Sequence, residues 1–239
     1  MAYEAFAALY DRLMYDQPYH QWLELTEPYF KDSGSVLDLG CGTGSFTTLI
    51  PQSLTRVGVD LSEDMLAVAA QKDPSVHWVA QDITTLDLGM SFDLITCYCD
   101  SLNYITAEED VLDVFRQVKK HLSADGTFIF DVHSEWKMTH LFDGETYTDD
   151  TEDVTYIWNT FPGEEAHSVW HELSFFVKDN NGKYDRFDET HFQRTFSRGT
   201  YERLLSEAGL RVTQVFADFD PEETIAEEPE RLFFVVKHA

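Results

Sequence analysis

Basic residues are scarce in this chain of 239 residues: 17 Lys and Arg stand against 44 Asp and Glu, a formal net charge of −27. Such a surface repels polyanions, and no Lys/Arg cluster offers a local exception, so nucleic acid is disfavoured as a partner. The acidity itself reads as solubility or adaptation to a salty cell interior. Cysteine is scarce too, with only Cys41, Cys97 and Cys99. An odd number, two of them too close in sequence to pair comfortably, implies no disulfide framework and points to a reducing cytoplasm. No apolar run reaches the length that spans a bilayer. Met1-Ala2-Tyr3-Glu4-Ala5-Phe6 lacks the basic-then-apolar pattern of a signal peptide, so neither a membrane span nor a secretory leader is expected. Repeats and low-complexity linkers are missing as well. One domain over residues 1–239 is expected, with its oligomeric state open.

Apolar and aromatic material is plentiful. Hydrophobic residues make up 43% of the chain, with 18 Phe, 11 Tyr and 5 Trp, enough for a large core. Residues 1–30 read as a helical cover: Ala5, Phe6, Leu9, Leu13 and Met14 fall at helical spacing, and Pro18 and Pro28 bracket a second short helix. Strand-like apolar runs follow at 35–39, 55–60, 76–80, 92–97 and 127–131, with helical segments between most of them. Ser62 reads as an N-cap, and Thr106-Ala107-Glu108-Glu109 as a capping box. Strands alternating with helices predict an α/β fold, a doubly wound and mostly parallel sheet covered on both faces. Past Asp131 the alternation stops. Residues 154–161, 167–178 and 184–196 read as consecutive strands, with Asp179-Asn180-Asn181-Gly182 as a hairpin turn. A helix over 199–208, stopped by Gly209, and strands at 211–217 and 232–237 close the chain. Residues 151–196 therefore read as a small antiparallel β insertion within the domain.

The central motif is Asp38-Leu39-Gly40-Cys41-Gly42-Thr43-Gly44, directly after a strand and before a helix. Glycines there let the backbone turn tightly and approach a ligand. The spacing is G-x-G-x-G; Ser45 stands where a dinucleotide site wants a small helix-packing residue. Asp38 would repel a pyrophosphate and welcome an ammonium. Asp60 ends the second strand, where an acid accepts hydrogen bonds from ribose hydroxyls. A ligand with a ribose, a cationic end and no phosphates satisfies this set, and S-adenosylmethionine (SAM) is such a ligand. Asp82, just past the third strand, suits the adenine amino group, or else caps a turn.

Here the sequence closely resembles the class I SAM-dependent methyltransferases. Val36-Leu37-Asp38-Leu39-Gly40-Cys41-Gly42-Thr43-Gly44 matches the family's first motif, Val57-Gly58-Val59-Asp60-Leu61-Ser62 the second and Phe92-Asp93-Leu94-Ile95 the fourth. Leu122-Ser123-Ala124-Asp125-Gly126-Thr127 looks like the turn before the fifth strand. The resemblance implies a Rossmann-like, seven-stranded sheet with its last strand antiparallel. It implies SAM as cofactor, held by Tyr10, Asp38, Gly40, Cys41, Gly42, Gly44, Asp60, Leu61, Asp82, Ile83 and Cys99. Tyr10-Asp11 and the late insertion look like bacterial methyltransferases acting on small molecules, amine N-methyltransferases among them, in which both segments cover the site.

Transfer to a nitrogen or oxygen of a small-molecule acceptor is the resulting expectation, with Asp100, Tyr104 and His133 as candidates for orienting or deprotonating that acceptor. Each has a plainer alternative: Asp100-Ser101-Leu102-Asn103-Tyr104 as a polar turn, His133 as a surface loop histidine, and Tyr10 and Tyr15 as core aromatics. The three cysteines read as small buried residues. His167 and His171, on one strand face, lack a third ligand for a metal site. Rival functions are an RNA or protein methyltransferase, a non-catalytic SAM-binding regulator and, more distantly, a dehydrogenase. The insertion is expected to lid the acceptor pocket. Trp170 and Glu172 share one of its faces and His171 and Leu173 the other, and the pattern leaves open which looks inward.

Overall fold

Hydrophobic runs too short for helices pair laterally, and the amphipathic segments between them cover the result. The computed structural model describes residues 10–11, 14, 17–152, 154–179, 181–222 and 225–239. In chain order the elements are α1 (Tyr19–Thr26), β1 (Ser35–Leu39), β2 (Thr55–Asp60), α2 (Glu63–Lys72), β3 (His77–Ala80), β4 (Phe92–Cys97), α3 (Glu108–His121) and β5 (Leu122–His133). Then come β6 (Thr146–Asp150), β7 (Val154–Pro162), β8 (Ser168–Lys178), β9 (Tyr184–Arg194), α4 (Arg198–Glu207), β10 (Leu210–Ala217) and β11 (Arg231–His238).

The main sheet has seven strands in the order β10-β11-β5-β4-β1-β2-β3. Strands β1 to β5 run parallel, while β11 is antiparallel to both β5 and β10. Alternation along each strand sends side chains to opposite faces. Leu37 and Leu39 join the core cluster that contains Val114 and Phe115 of α3 and Tyr201 and Leu204 of α4. Val36 joins the other, built around Trp22 of α1, Phe46 and Ile50. This is the doubly wound α/β architecture with helices on both faces.

Local chemistry sets the helix ends. Ser62 caps α2 by accepting from Met65 N, with Glu63 and Asp64 in the first turn. Ahead of α3 the expected capping box does not form. The N-cap is Ala107, without a side-chain cap, and the Thr106 carbonyl accepts from Arg194 instead. Glu108, Glu109 and Asp110 in its first turn, and Lys119, Lys120 and His121 in its last, complement the helix dipole. Gly209 ends α4 with φ +77°, a conformation that costs other residues energy.

Strand β5 starts at Leu122, ahead of the expected turn, because 122–127 stay in the sheet as an irregular register against β4. The insertion is a separate four-stranded antiparallel sheet, β6-β7-β8-β9. It begins at Thr146, before the expected boundary, because Thr146-Tyr147-Thr148-Asp149-Asp150 forms an extra edge strand. Its polar composition conceals the strand pattern and suits an unprotected edge. The β8–β9 turn carries its positive φ at Gly182 alone among the described residues, while the Asp179 carboxylate accepts from the amides of Asn181 and Lys183. His167 lies just before β8, with φ +56°, so it does not share a strand face with His171. Among the described residues no helix is long and apolar enough to cross a membrane.

Candidate active site

The carboxyl ends of β1, β2, β4 and β5 open into one cavity of about 720 Å³, the place where parallel sheets bind ligands. Its floor is the turn after β1. Gly40 N and Cys41 N both donate to the Val59 carbonyl of β2, which folds the loop back over the sheet edge. Gly42 follows with φ +53°, and no atom lies within 4 Å of where a Cβ would stand. Its missing side chain leaves open space facing the cavity. Gly44 is different: at φ +74°, a Cβ would come within 2.5 Å of the Trp78 ring. It is a packing glycine beneath the loop and is not part of the cavity wall.

Three acids from the sheet end border this floor. Asp38 is buried and accepts from the hydroxyls of Thr47 and Thr96, and burial pushes its pKa up from 3.8 to about 7. Asp60 accepts from Gly42 N at 2.8 Å and from Ser62 N at 2.9 Å, so it pins the loop after β1 to its own. Asp82 accepts from the amide and hydroxyl of Thr84 in a local turn while also lining the cavity. Leu61 is 74% exposed beside Asp60 and, with Ile83, supplies apolar wall. Cys41 and Cys99 complete this side.

The far wall is an ion network at the ends of β4, β5 and β11. Cys99 and Asp100 both adopt left-handed backbone, φ +54° and +53°, strain that persists only where surroundings enforce it. Asp131 enforces it: one carboxylate oxygen accepts from Cys99 N and Trp22 Nε1, and the other from Asp100 N and Arg231. Burial pushes the Asp131 pKa up, with Arg231 opposing. Arg231 in turn reaches Asp100 Oδ1 at 3.1 Å and lies over the Trp22 ring. Asp218 fixes the start of β11 by accepting from Arg231 N. Asp100 also accepts from Gln193 at 2.8 Å and sits 3.4 Å from His133 Nε2. Burial alone would raise its pKa, but His133, Arg231 and Gln193 outweigh it and hold the carboxyl well below the usual range. Burial likewise pushes the His133 pKa down.

The roof comes from the insertion. Tyr156 and Trp158 of β7, His171 and Leu173 of β8, and His191 and Gln193 of β9 line the cavity, whereas Trp170 on the opposite face is 44% exposed. Tyr104, half exposed toward the cavity, meets His191 edge-on. At the near end, Tyr10 and Met14 line the cavity, and Asp11 accepts from the hydroxyls of Thr43 and Ser45 and pairs with Lys72 at 2.6 Å. That ties Asp11 to the glycine loop.

These residues fit SAM. The loop backbone borders the cavity at Gly42, Asp38, Asp60 and Asp82 are acceptors of the kind an ammonium, ribose hydroxyls and an adenine amino group require, and the Lys beside the glycine loop, Lys72, is paired with Asp11 and does not line the cavity. Residues 36–126 match the methyltransferase domain family. A putative methyltransferase of Geobacillus sp. (strain WCH70) is 41% identical, covering 99% of this chain and 100% of that one. The chain belongs to the class I SAM-dependent methyltransferases. A crystal structure of a SAM-dependent methyltransferase from Clostridium acetobutylicum superposes with a TM-score of 0.88, at 31% identity and 100% coverage of both chains. The dTDP-4-amino-2,3,4,6-tetradeoxy-D-glucose N,N-dimethyltransferase of Saccharopolyspora spinosa is 27% identical over 79% of this chain and 76% of its own.

Of the residues singled out in the sequence, the methyltransferase gathers Tyr10, Asp38, Gly40, Cys41, Gly42, Asp60, Leu61, Asp82, Ile83, Cys99, Asp100, Tyr104 and His133 around its cavity, and leaves Gly44 out. Tyr15 lies outside the described residues. Sequence reasoning missed Arg231, Asp131, Trp22 and Gln193 as members of one network. The available signal was a lone arginine opening an apolar strand after a long acidic stretch, which asks for a buried acid as partner.

Proposed function

We propose that this methyltransferase moves the methyl group of SAM to a nitrogen or oxygen of a small, hydrophilic molecule held beneath the insertion. The observation that carries the reading is the continuity of one cavity of about 720 Å³ from the glycine loop to the inner face of β7–β9, a size suited to small-molecule ligands. The S. spinosa relative, named for an amino sugar, supports a small acceptor. The net charge of −27 speaks against RNA. Three unpaired cysteines suit a reducing cytoplasm.

Bound SAM supplies an electrophilic methyl carbon on a sulfonium, so the protein's work is alignment and exclusion of water. Asp38 and Asp60 hold the amino-acid and ribose ends, Asp82 and Ile83 the adenine, while Gly40, Cys41, Gly42, Leu61, Cys99 and Tyr10 shape the walls. Asp100 and Arg231 keep the His133 ring in place, and Tyr104 and His133 orient the acceptor. A neutral His133 has a lone pair with which to remove a proton from an incoming ammonium or hydroxyl. The insertion, with Tyr10 and Met14 at the near end, closes the site to solvent.

The test is a transfer screen with methyl-labelled SAM against small amines and polyols, with bulk tRNA and protein lysate in parallel. Label is expected in the small molecules. Transfer confined to tRNA or protein would refute the proposal.

A further inference from the structure

Two buried imidazole atoms in the cavity have no partner among the described residues: His133 Nδ1 and His171 Nε2. The first residue ends β5 and the second lies mid-β8, so one belongs to the catalytic sheet and the other to the insertion. They are only 6% and 4% exposed, and both pack edge-on against the Phe142 ring, at 5.4 and 5.0 Å between centroids. Buried polar atoms in native proteins are almost always paired, so two unpaired ones on the wall of one cavity point to a missing ligand.

Their neighbours decide what each atom offers. Trp158 Nε1 donates to His171 Nδ1 at 3.1 Å. An indole N–H only donates, so His171 Nδ1 accepts and the ring proton sits on Nε2. His133 Nε2 faces the ionised Asp100 carboxylate at 3.4 Å, which draws the ring proton to that side and leaves Nδ1 as a lone pair. Burial pushes both pKa values down, that of His171 to about 4, so both rings are neutral at pH 7. Gln193 gives its Nε2 to Asp100; it also lies near His171 and opposes the effect of burial there, but falls short of a hydrogen bond to Nε2.

We propose that His133 Nδ1 and His171 Nε2–H form a hydroxyl-reading subsite, the first accepting from and the second donating to hydroxyl groups of the methyl acceptor. The proposal rests on the reading of this cavity as a small-molecule acceptor site and adds the chemical class of the acceptor. A carboxylate would satisfy His171 and leave His133 facing a second acceptor. An ammonium would satisfy His133 and meet His171 donor to donor. Hydroxyls meet both demands with one freely rotating group. The subsite also gives the insertion a chemical role, because His171 reaches the cavity only when β8 is seated over the sheet end.

The test uses the ¹⁵N-labelled full chain saturated with S-adenosylhomocysteine and long-range imidazole ¹H–¹⁵N spectra. Both rings should be neutral with the proton on Nε2. Adding glucosamine to tens of millimolar should move the His133 Nδ1 and His171 Nε2 resonances. Cyclohexylamine, an amine on a six-membered ring without hydroxyls, should not. His171→Gln, which retains an N–H near the same place, should keep the preference for glucosamine, and His171→Leu should lower it about tenfold. An Nδ1–H tautomer on either ring, no response to glucosamine, or equal responses to both amines overturns the subsite while leaving the acceptor reading standing. Transfer to macromolecules alone in the screen above overturns both.

Discussion

The buried acid of the glycine motif should make cofactor affinity depend on pH, and replacing Asp38 by Asn should expose the dependence. Burial pushes the Asp38 pKa from 3.8 to about 7, although two threonine hydroxyls donate to it. The folded chain therefore holds this proton more tightly than the unfolded chain. The group favours folding below about pH 4, loses that advantage as pH rises to about 7, and imposes its full cost above. At about 1.4 kcal/mol per pKa unit, the span of roughly three units is worth on the order of 4 kcal/mol. A cationic ammonium beside the carboxylate reverses the preference, so SAM binding should draw the proton off. About one tenth of Asp38 is ionised at pH 6 and about nine tenths at pH 8, so the apparent Kd should fall about tenfold over that interval. Calorimetry in two buffers of different ionisation enthalpy should read release of most of one proton on binding at pH 6 and almost none at pH 8. Asp38→Asn should bind weakly at both pH values, with no proton release and a flatter stability profile between pH 4 and 7. Unchanged wild-type affinity from pH 6 to 8 without proton release would refute the reasoning.

Two further substitutions separate binding from architecture. Asp60→Ala removes the acceptor for Gly42 N and Ser62 N as well as the proposed ribose contact. Two charge-assisted bonds of about 1.5–3 kcal/mol each, with about 2–4 °C per kcal/mol for a chain of this size, predict a Tm lower by on the order of 10 °C and SAM affinity weaker by about tenfold or more. Calorimetry that finds affinity intact would move the ribose site elsewhere. Arg231→Met leaves the buried Asp131 and Asp100 without their cation, a loss of about 3–5 kcal/mol and a Tm drop on the order of 10 °C. A melting curve within 2 °C of wild type, roughly the effect of 1 kcal/mol, would mean that the network contributes little.

The glycine-loop side of the cavity was legible in the sequence because its determinants are local. A strand, a tight turn and a helix start follow one another in 35–48, so Asp38, Gly40 and Gly42 announce themselves by spacing, and Asp60 and Asp82 by their places after strands. The packing of Gly44 was hidden for the opposite reason. Its demand for a missing Cβ comes from Trp78, on a strand two places away in the sheet. Strand β6 was missed because an edge strand that faces solvent needs no apolar alternation. The Thr106 cap does not form: the helix starts after Ala107, and Arg194 from the insertion donates to the Thr106 carbonyl.

The far wall and the roof of the cavity belong to tertiary structure. Composition and period by themselves determined an α/β sheet, a SAM-type loop and an antiparallel insertion, since each follows from backbone geometry and side chains within a few residues. Whether Asp100 would be ionised depended on His133, Gln193 and Arg231 arriving from three other strands. Whether the left-handed turn at Cys99–Asp100 could persist depended on Asp131, whose other partners, Trp22 and Arg231, lie 109 and 100 residues away. Which face of β8 would look inward was undecided by alternation, which is symmetric between faces. Docking of the insertion broke that symmetry, turning His171 and Leu173 toward the cavity and Trp170 toward solvent.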